Sequence, residues 1–217
     1  MPRTVTPPQL TTDYARARRV LGRQDPVMQQ LMRRIGPCRL ASRQHTDAFK
    51  ALVHAIISQQ LSTKAAATIA RRFLELCGPG VPTPAKVAAL SDEQLRGVGL
   101  SGQKTRYMRD LCTRVLDRSL PLASIHTLED EAVIETLTAV KGIGRWTAEM
   151  FLIFRLHRPD VLPVGDLGIL KAVKEQYGLR TLPSPERLRK IGEHWRPYRS
   201  VACWYLWASL NNTPAED

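Results

Sequence analysis

No two of the four cysteines, Cys38, Cys77, Cys112 and Cys203, lie close enough in this 217-residue chain to form a Cys-x-x-Cys pair. That spacing offers no zinc framework, and scattered single thiols fit a reducing compartment, buried or idle, better than a disulfide scaffold. The histidines His45, His54, His126, His157 and His194 show no ligand spacing either, so metal-assisted hydrolysis has no support. No apolar run is long enough to span a bilayer. Met1 to Leu10 carries Pro2, Pro7 and Pro8 and no apolar core, so no signal peptide is expected and the cytosol is the default location. Clean apolar–polar alternation over four or more positions is scarce, which removes the case for a sheet. Acidic residues are also in short supply: 20 Asp and Glu face 32 Lys and Arg, a formal charge of +12. Such a balance suits a polyanionic partner but does not by itself choose between nucleic acid and a membrane surface.

What the chain does have, at 43% hydrophobic residues, is enough apolar material for a buried core and helical period nearly throughout. Phe49, Leu52, Val53, Ile56 and Ile57 form the stripe of an amphipathic helix, capped by Thr46 or Asp47. Ser62 starts a second helix through Ala65, Ala66, Ala67, Ile69, Phe73 and Leu76 to Gly78, where Pro79, Pro82 and Pro84 form a rigid connector. Thr83-Pro84 and the capping box Ser91 to Gln94 open short helices. A longer helix runs from Ser101 past Tyr107, Met108, Leu111 and Val115. Thr127 is expected to cap the helix that enters the glycine turn at 142–144, Ser184-Pro185 opens another, and the last spans Arg199 to Leu210. The expected class is all-α with about ten helices. Gly97-Val98-Gly99 reads chiefly as a connector, with Lys104 beyond it as a lesser candidate for phosphate contact.

One stretch dominates: Leu137-Thr138-Ala139-Val140-Lys141-Gly142-Ile143-Gly144-Arg145-Trp146-Thr147-Ala148-Glu149-Met150, with Gly165-Asp166 downstream. Two glycines one residue apart permit a tight turn with positive φ and leave backbone N–H groups facing outward at a helix start, an array suited to a phosphate. This pattern resembles the helix-hairpin-helix of the base-excision DNA glycosylases. The resemblance covers roughly residues 46 to 210. It implies two helical lobes with a cleft between them: a single catalytic unit over 1–217, a central lobe over 46–160 with the hairpin at 137–150, and a second lobe from 1–45 plus 161–217. About 45 residues precede the first matching helix, too few for the extra N-terminal α/β domain of larger bacterial relatives. In strand-cleaving members the residue at the position of Trp146 is a lysine that forms a Schiff base. Tryptophan cannot supply that amine, which implies the monofunctional branch, of 3-methyladenine DNA glycosylase II type.

The resemblance also assigns roles. Asp166 is the catalytic carboxylate; at a helix N-terminus its negative charge is stabilised, and it in turn stabilises the oxocarbenium-like sugar or activates water. Trp146 and Trp207 are expected as walls of a pocket for a cationic, electron-poor base, with Met150 one turn further on, whereas Trp204 and Tyr205 are expected to pack in the core. Gln60 and Leu61 are the candidates for filling the gap left by an everted base. Gly142, Gly144 and Thr147 are expected to hold phosphate, with Lys141 and Arg145 adding charge. The carbonyls of Thr138, Val140 and Ile143 would hold a Na+ or K+ ion. No other cofactor is required, and because Cys203 is the only cysteine after the catalytic region, no iron–sulfur cluster is expected. The implied partner is double-stranded DNA with damaged bases, met by a monomer in a bacterial nucleoid. Two alternatives stay open: a non-catalytic hairpin DNA-binding protein, and a glycosylase or lyase for other damaged bases.

Overall fold

The computed structural model describes residues 13–40 and 47–210. His45, Thr46 and the Met1 to Leu10 segment lie outside those residues. Among the described residues there are twelve α-helices and no strand, and none of the helices is long and apolar enough to cross a membrane. The chain divides into two compact units, one of residues 47–151 and the other of 13–40 with 152–210, so the division falls after Phe151 rather than after residue 160.

In the first unit, α3 (Ala48–Ser58) buries Phe49, Leu52, Val53, Ile56 and Ile57, the stripe seen in the sequence. Asp47 caps it by accepting the Lys50 amide at 3.0 Å. Ser62 caps α4 (Thr63–Cys77), and Thr83 caps α5 (Pro84–Ala88) with proline in its first turn. The expected capping box forms at α6 (Asp92–Gly97), with Ser91 and Gln94 exchanging side chain and backbone. Next, α7 (Gly102–Leu116) starts at Ser101 and buries Thr105, Met108, Leu111 and Cys112. Arg109 projects from α7 to the carboxylate of Asp92 and to carbonyls at the end of α5, at 2.8 to 3.0 Å for Asp92 and Ala88.

Thr127 does not cap the helix that follows. It ends a 3-10 turn, Ile125–Thr127, and its hydroxyl donates back to the Ser124 carbonyl at 2.8 Å. The next helix, α8 (Asp130–Thr138), starts after Glu129 without a side-chain cap; Asp130 and Glu131 in its first turn complement the helix dipole instead. A glycine turn then leads to α9 (Arg145–Met150), which widens into a π-helical turn at Phe151–Arg155.

The second unit contains α1 (Tyr14–Gln24), α2 (Pro26–Ile35), α10 (Leu167–Gln176), α11 (Pro185–Gly192) and α12 (Arg199–Ser209). Its centre is α12, buried at every position from Ser200 to Trp207, as befits a helix apolar on all sides. Trp204 meets Tyr205 edge-on at 4.9 Å, and the Tyr205 hydroxyl donates to the Gly36 carbonyl. Asp25 is the polar keystone. One oxygen accepts the amides of Val27 and Met28, capping α2, while the other accepts Tyr177 Oη at 2.5 Å and Trp195 Nε1 at 2.9 Å. A buried carboxylate persists where donors of this kind replace its hydration.

Candidate active site and DNA-reading hairpin

Asp166 is the N-cap of α10, buried to 7% exposure, where a turn closed by its own amide and the Pro163 carbonyl delivers it. Its Oδ1 accepts the Ile169 amide at 2.7 Å and the Trp207 indole N–H at 2.9 Å. Two donors on one oxygen fix the carboxylate plane. Trp207, 4% exposed, therefore acts here as a partner of the carboxylate more than as the open wall expected from the sequence. It also packs on Phe154 of the π-helical turn, with ring centroids 5.6 Å apart. Gly168 makes this possible: a Cβ there would stand 3.0 Å from Asp166 Oδ1 and 3.1 Å from the Trp207 ring. The sequence reading missed Gly168 and Phe154. The glycine, two residues after an N-cap aspartate, was the available signal.

The hairpin lies in the other unit, with Trp146 and Met150 on α9. Trp146 is 52% exposed, the large aromatic face of this element that meets solvent, and Met150 is half-buried. Val140 and Ile143 are buried and closed by the Ile143 amide on the Val140 carbonyl at 3.1 Å. Between them Gly142 has φ +82°, and a Cβ on it would fall 2.1 Å from the Tyr107 ring; conformation and contact both demand glycine. Gly144 is the exposed N-cap of α9 and offers no side-chain cap, so no capping side chain stands between the start of that helix and solvent. Thr147, half-buried, lies in the same first turn, and Lys141 is exposed. The Lys141 amide is already held by Asp110 Oδ2 at 2.9 Å. Arg145 has carboxylate partners too, Glu131 at 2.6 Å and Glu149 at 3.2 Å, which offset the charge it was expected to bring to a phosphate. The Thr138 hydroxyl returns to the Ile134 carbonyl at 2.8 Å, leaving its main-chain oxygen as the group relevant to a cation.

Gln60 and Leu61 sit exposed in the turn between α3 and α4. The Leu61 amide meets the Ser58 carbonyl at 3.3 Å, Gln59 has φ −53° and ψ 129°, and Gln60 has φ +56°, a type II turn whose third position ordinarily favours glycine. A left-handed glutamine costs about 1 kcal/mol or more, so surrounding contacts must hold it. Two side chains supply them. Lys104 Nζ donates to the carbonyls of Ile57 at 2.6 Å and Gln59 at 2.7 Å, and Gln59 Nε2 donates to the Gly142 carbonyl at 2.7 Å. Desolvation in this position lowers the Lys104 ammonium below its ordinary value. The lesser sequence expectation, Lys104 on a phosphate, gives way to a role inside the protein. Among the described residues no cluster of three His, Cys, Asp or Glu side chains is gathered for a metal.

An all-helical chain with a Gly-x-Gly hairpin and a buried, hydrogen-bonded aspartate at a helix start belongs to a definite class. Residues 53–197 match the HhH-GPD superfamily base excision DNA repair protein family, and the chain is a member of it. Within that class it is similar to the alkylbase DNA glycosidase-like protein mag2 of Schizosaccharomyces pombe, 33% identical over 90% of this chain and 93% of that protein. A solved structure of a DNA-3-methyladenine glycosidase from Bacillus halodurans is 37% identical with a TM-score of 0.72, covering 85% of this chain and 89% of the other. The S. pombe 3-methyladenine DNA glycosylase Mag1, solved in complex with abasic DNA, is 30% identical with a TM-score of 0.77, covering 93% of this chain and all of that one.

Proposed function

We propose that this protein is a monofunctional DNA glycosylase that everts alkylated purines of the 3-methyladenine and 7-methylguanine class from duplex DNA and hydrolyses their N-glycosidic bond. The observation that carries the reading is Asp166, buried and held by the Ile169 amide and the Trp207 indole. As the C1′–N bond breaks, the base takes the bonding electrons and positive charge develops on the sugar; a fixed carboxylate stabilises that charge. Water then adds at C1′, its proton is lost, and an abasic site remains. An alkylated purine is cationic before cleavage and leaves as a neutral base, so it needs little help from a general acid, and hydrolysis requires no redox partner. The exposed Trp146 suits an electron-poor base by face contact, and having no amine it cannot carry a lyase reaction.

In this reading the amides at Gly142 and Gly144, with Thr147 and Lys141, grip the DNA backbone without reading sequence. Arg145, tied to Glu131 and Glu149, shapes the turn more than it supplies charge. The carbonyls of Thr138, Val140 and Ile143 are neutral oxygen donors near the negative end of α8, a set suited to Na+ or K+. Gln60 and Leu61 fill the gap left by the everted nucleotide. The test is base release from duplexes carrying single defined lesions. Release of 3-methyladenine or 7-methylguanine by the wild type, with borohydride trapping no covalent complex, is expected; release of none of these bases overturns the assignment.

A further inference from the structure

Three residues at three-residue intervals on α7 reach the two elements assigned to DNA. Lys104 holds the main chain of the 58–62 turn through the Ile57 and Gln59 carbonyls. The ring of Tyr107 lies under Gly142, leaving no space there for a Cβ. Asp110 takes the Lys141 amide while also pairing with Arg114 at 2.9 Å. Gln59 closes the circuit by joining the turn directly to the hairpin at the Gly142 carbonyl. The carbonyls that Lys104 takes lie at the C-terminal end of α3, where intrahelical donors run out. Without the ammonium, those oxygens would turn to water and the turn would lose the contacts that hold Gln60 left-handed.

We propose that Lys104 and Gln59 are positioning residues for base eversion: they fix the turn bearing Gln60 and Leu61 at one set distance from the hairpin, so that the wedge is already formed when DNA is gripped. This rests on the reading of Gln60 and Leu61 as the wedge. Holding the wedge in place moves its ordering cost from the DNA encounter to folding, which raises the rate of eversion without adding any contact to the lesion. Neither side chain is assigned a contact with the reacting atoms. Their effect is therefore confined to substrates from which a stacked, paired base must be removed.

The test compares single-turnover release of 7-methylguanine from a paired duplex with release of the same base from a bulge, where little stacking has to be broken. Lys104→Met keeps the apolar stem and removes the donors, and Gln59→Leu removes the link to Gly142. Each is expected to lower the paired-to-bulged rate ratio at least 10-fold, with Lys104→Arg restoring most of it. Because both rates come from one preparation, partial unfolding cancels in the ratio. A ratio unchanged in both variants, while the Gln60→Ala/Leu61→Ala double variant lowers it, overturns the positioning role and leaves the wedge intact. If the double variant leaves the ratio unchanged as well, the wedge reading itself fails and the proposal fails with it. Additive losses when Lys104→Met is combined with the double variant would also overturn it, since residues acting through one element are non-additive.

Discussion

Around Gly142 a turn packed on Tyr107 carries exposed neighbours on its outer side, whereas at Asp166 the functional group itself is buried. The hairpin presents exposed Gly144, Lys141 and Trp146, while the carboxylate at the start of α10 is bonded to Trp207, which itself packs on Phe154. The contrast follows from what each region is proposed to hold. A phosphate arrives with its own charge and can be met by backbone dipoles in water. A sugar cation exists only transiently, and an anion stabilises it strongly only where water does not screen the interaction. Each region depends on a glycine, Gly142 over the Tyr107 ring and Gly168 beside Asp166 and Trp207, and they differ in what is left exposed.

The largest break in this comparison is Asp166→Asn. Base release is expected to fall by about 10³-fold in single-turnover assays while affinity for undamaged duplex stays within a few-fold, because the amide keeps the shape and the acceptor but not the charge. Gly142→Ala should do the opposite. Left-handed strain and the clash with Tyr107 are expected to cost about 2–4 kcal/mol of stability in urea denaturation and to weaken duplex binding in a filter assay, without a special loss at the chemical step. Trp207→Phe removes one donor from Asp166 Oδ1; a hydrogen bond to a charged group is worth about 1.5–3 kcal/mol, so release should slow about 10- to 100-fold with DNA affinity preserved. The smallest effect concerns Asp110. Burial opposes its charge, but the Lys141 amide and the Arg114 guanidinium outweigh that and hold it below the ordinary carboxylate range. A depressed folded value contributes stability that is present above the unfolded value and is lost as pH falls through the folded one. Asp110→Asn should therefore destabilise by under about 1 kcal/mol at neutral pH, and in thermal melts the difference should begin to shrink as pH falls through about 4 and vanish only below the depressed folded value.

Much of this was legible because capping and periodicity are local. Asp47, Ser62, Thr83, Ser91, Ser101 and Ser184 all cap as their positions suggest. Thr127 misled because a hydroxyl can bond backward to its own turn as readily as forward to a helix. The Asp25-Pro26 pair was an unused start signal for α2. The hairpin and Asp166 stood out through their spacing. Their supports did not, because Gln59 meets Gly142 across 83 positions and Trp207 meets Asp166 across 41. Tyr107 read as one more apolar position in a helix stripe, and nothing local to Arg145 showed that Glu131 would take its charge.

That last pairing bears on how the protein would search a genome. Binding that neutralises phosphates with free lysines or arginines expels condensed counterions and weakens steeply as salt rises. A turn whose arginine is already satisfied internally grips through neutral N–H dipoles and the single ammonium of Lys141, and expels fewer. Its hold on the backbone should then depend only shallowly on ionic strength, and the +12 of the whole chain would govern the long-range attraction to DNA. Approach and seating would be set by different parts of the molecule.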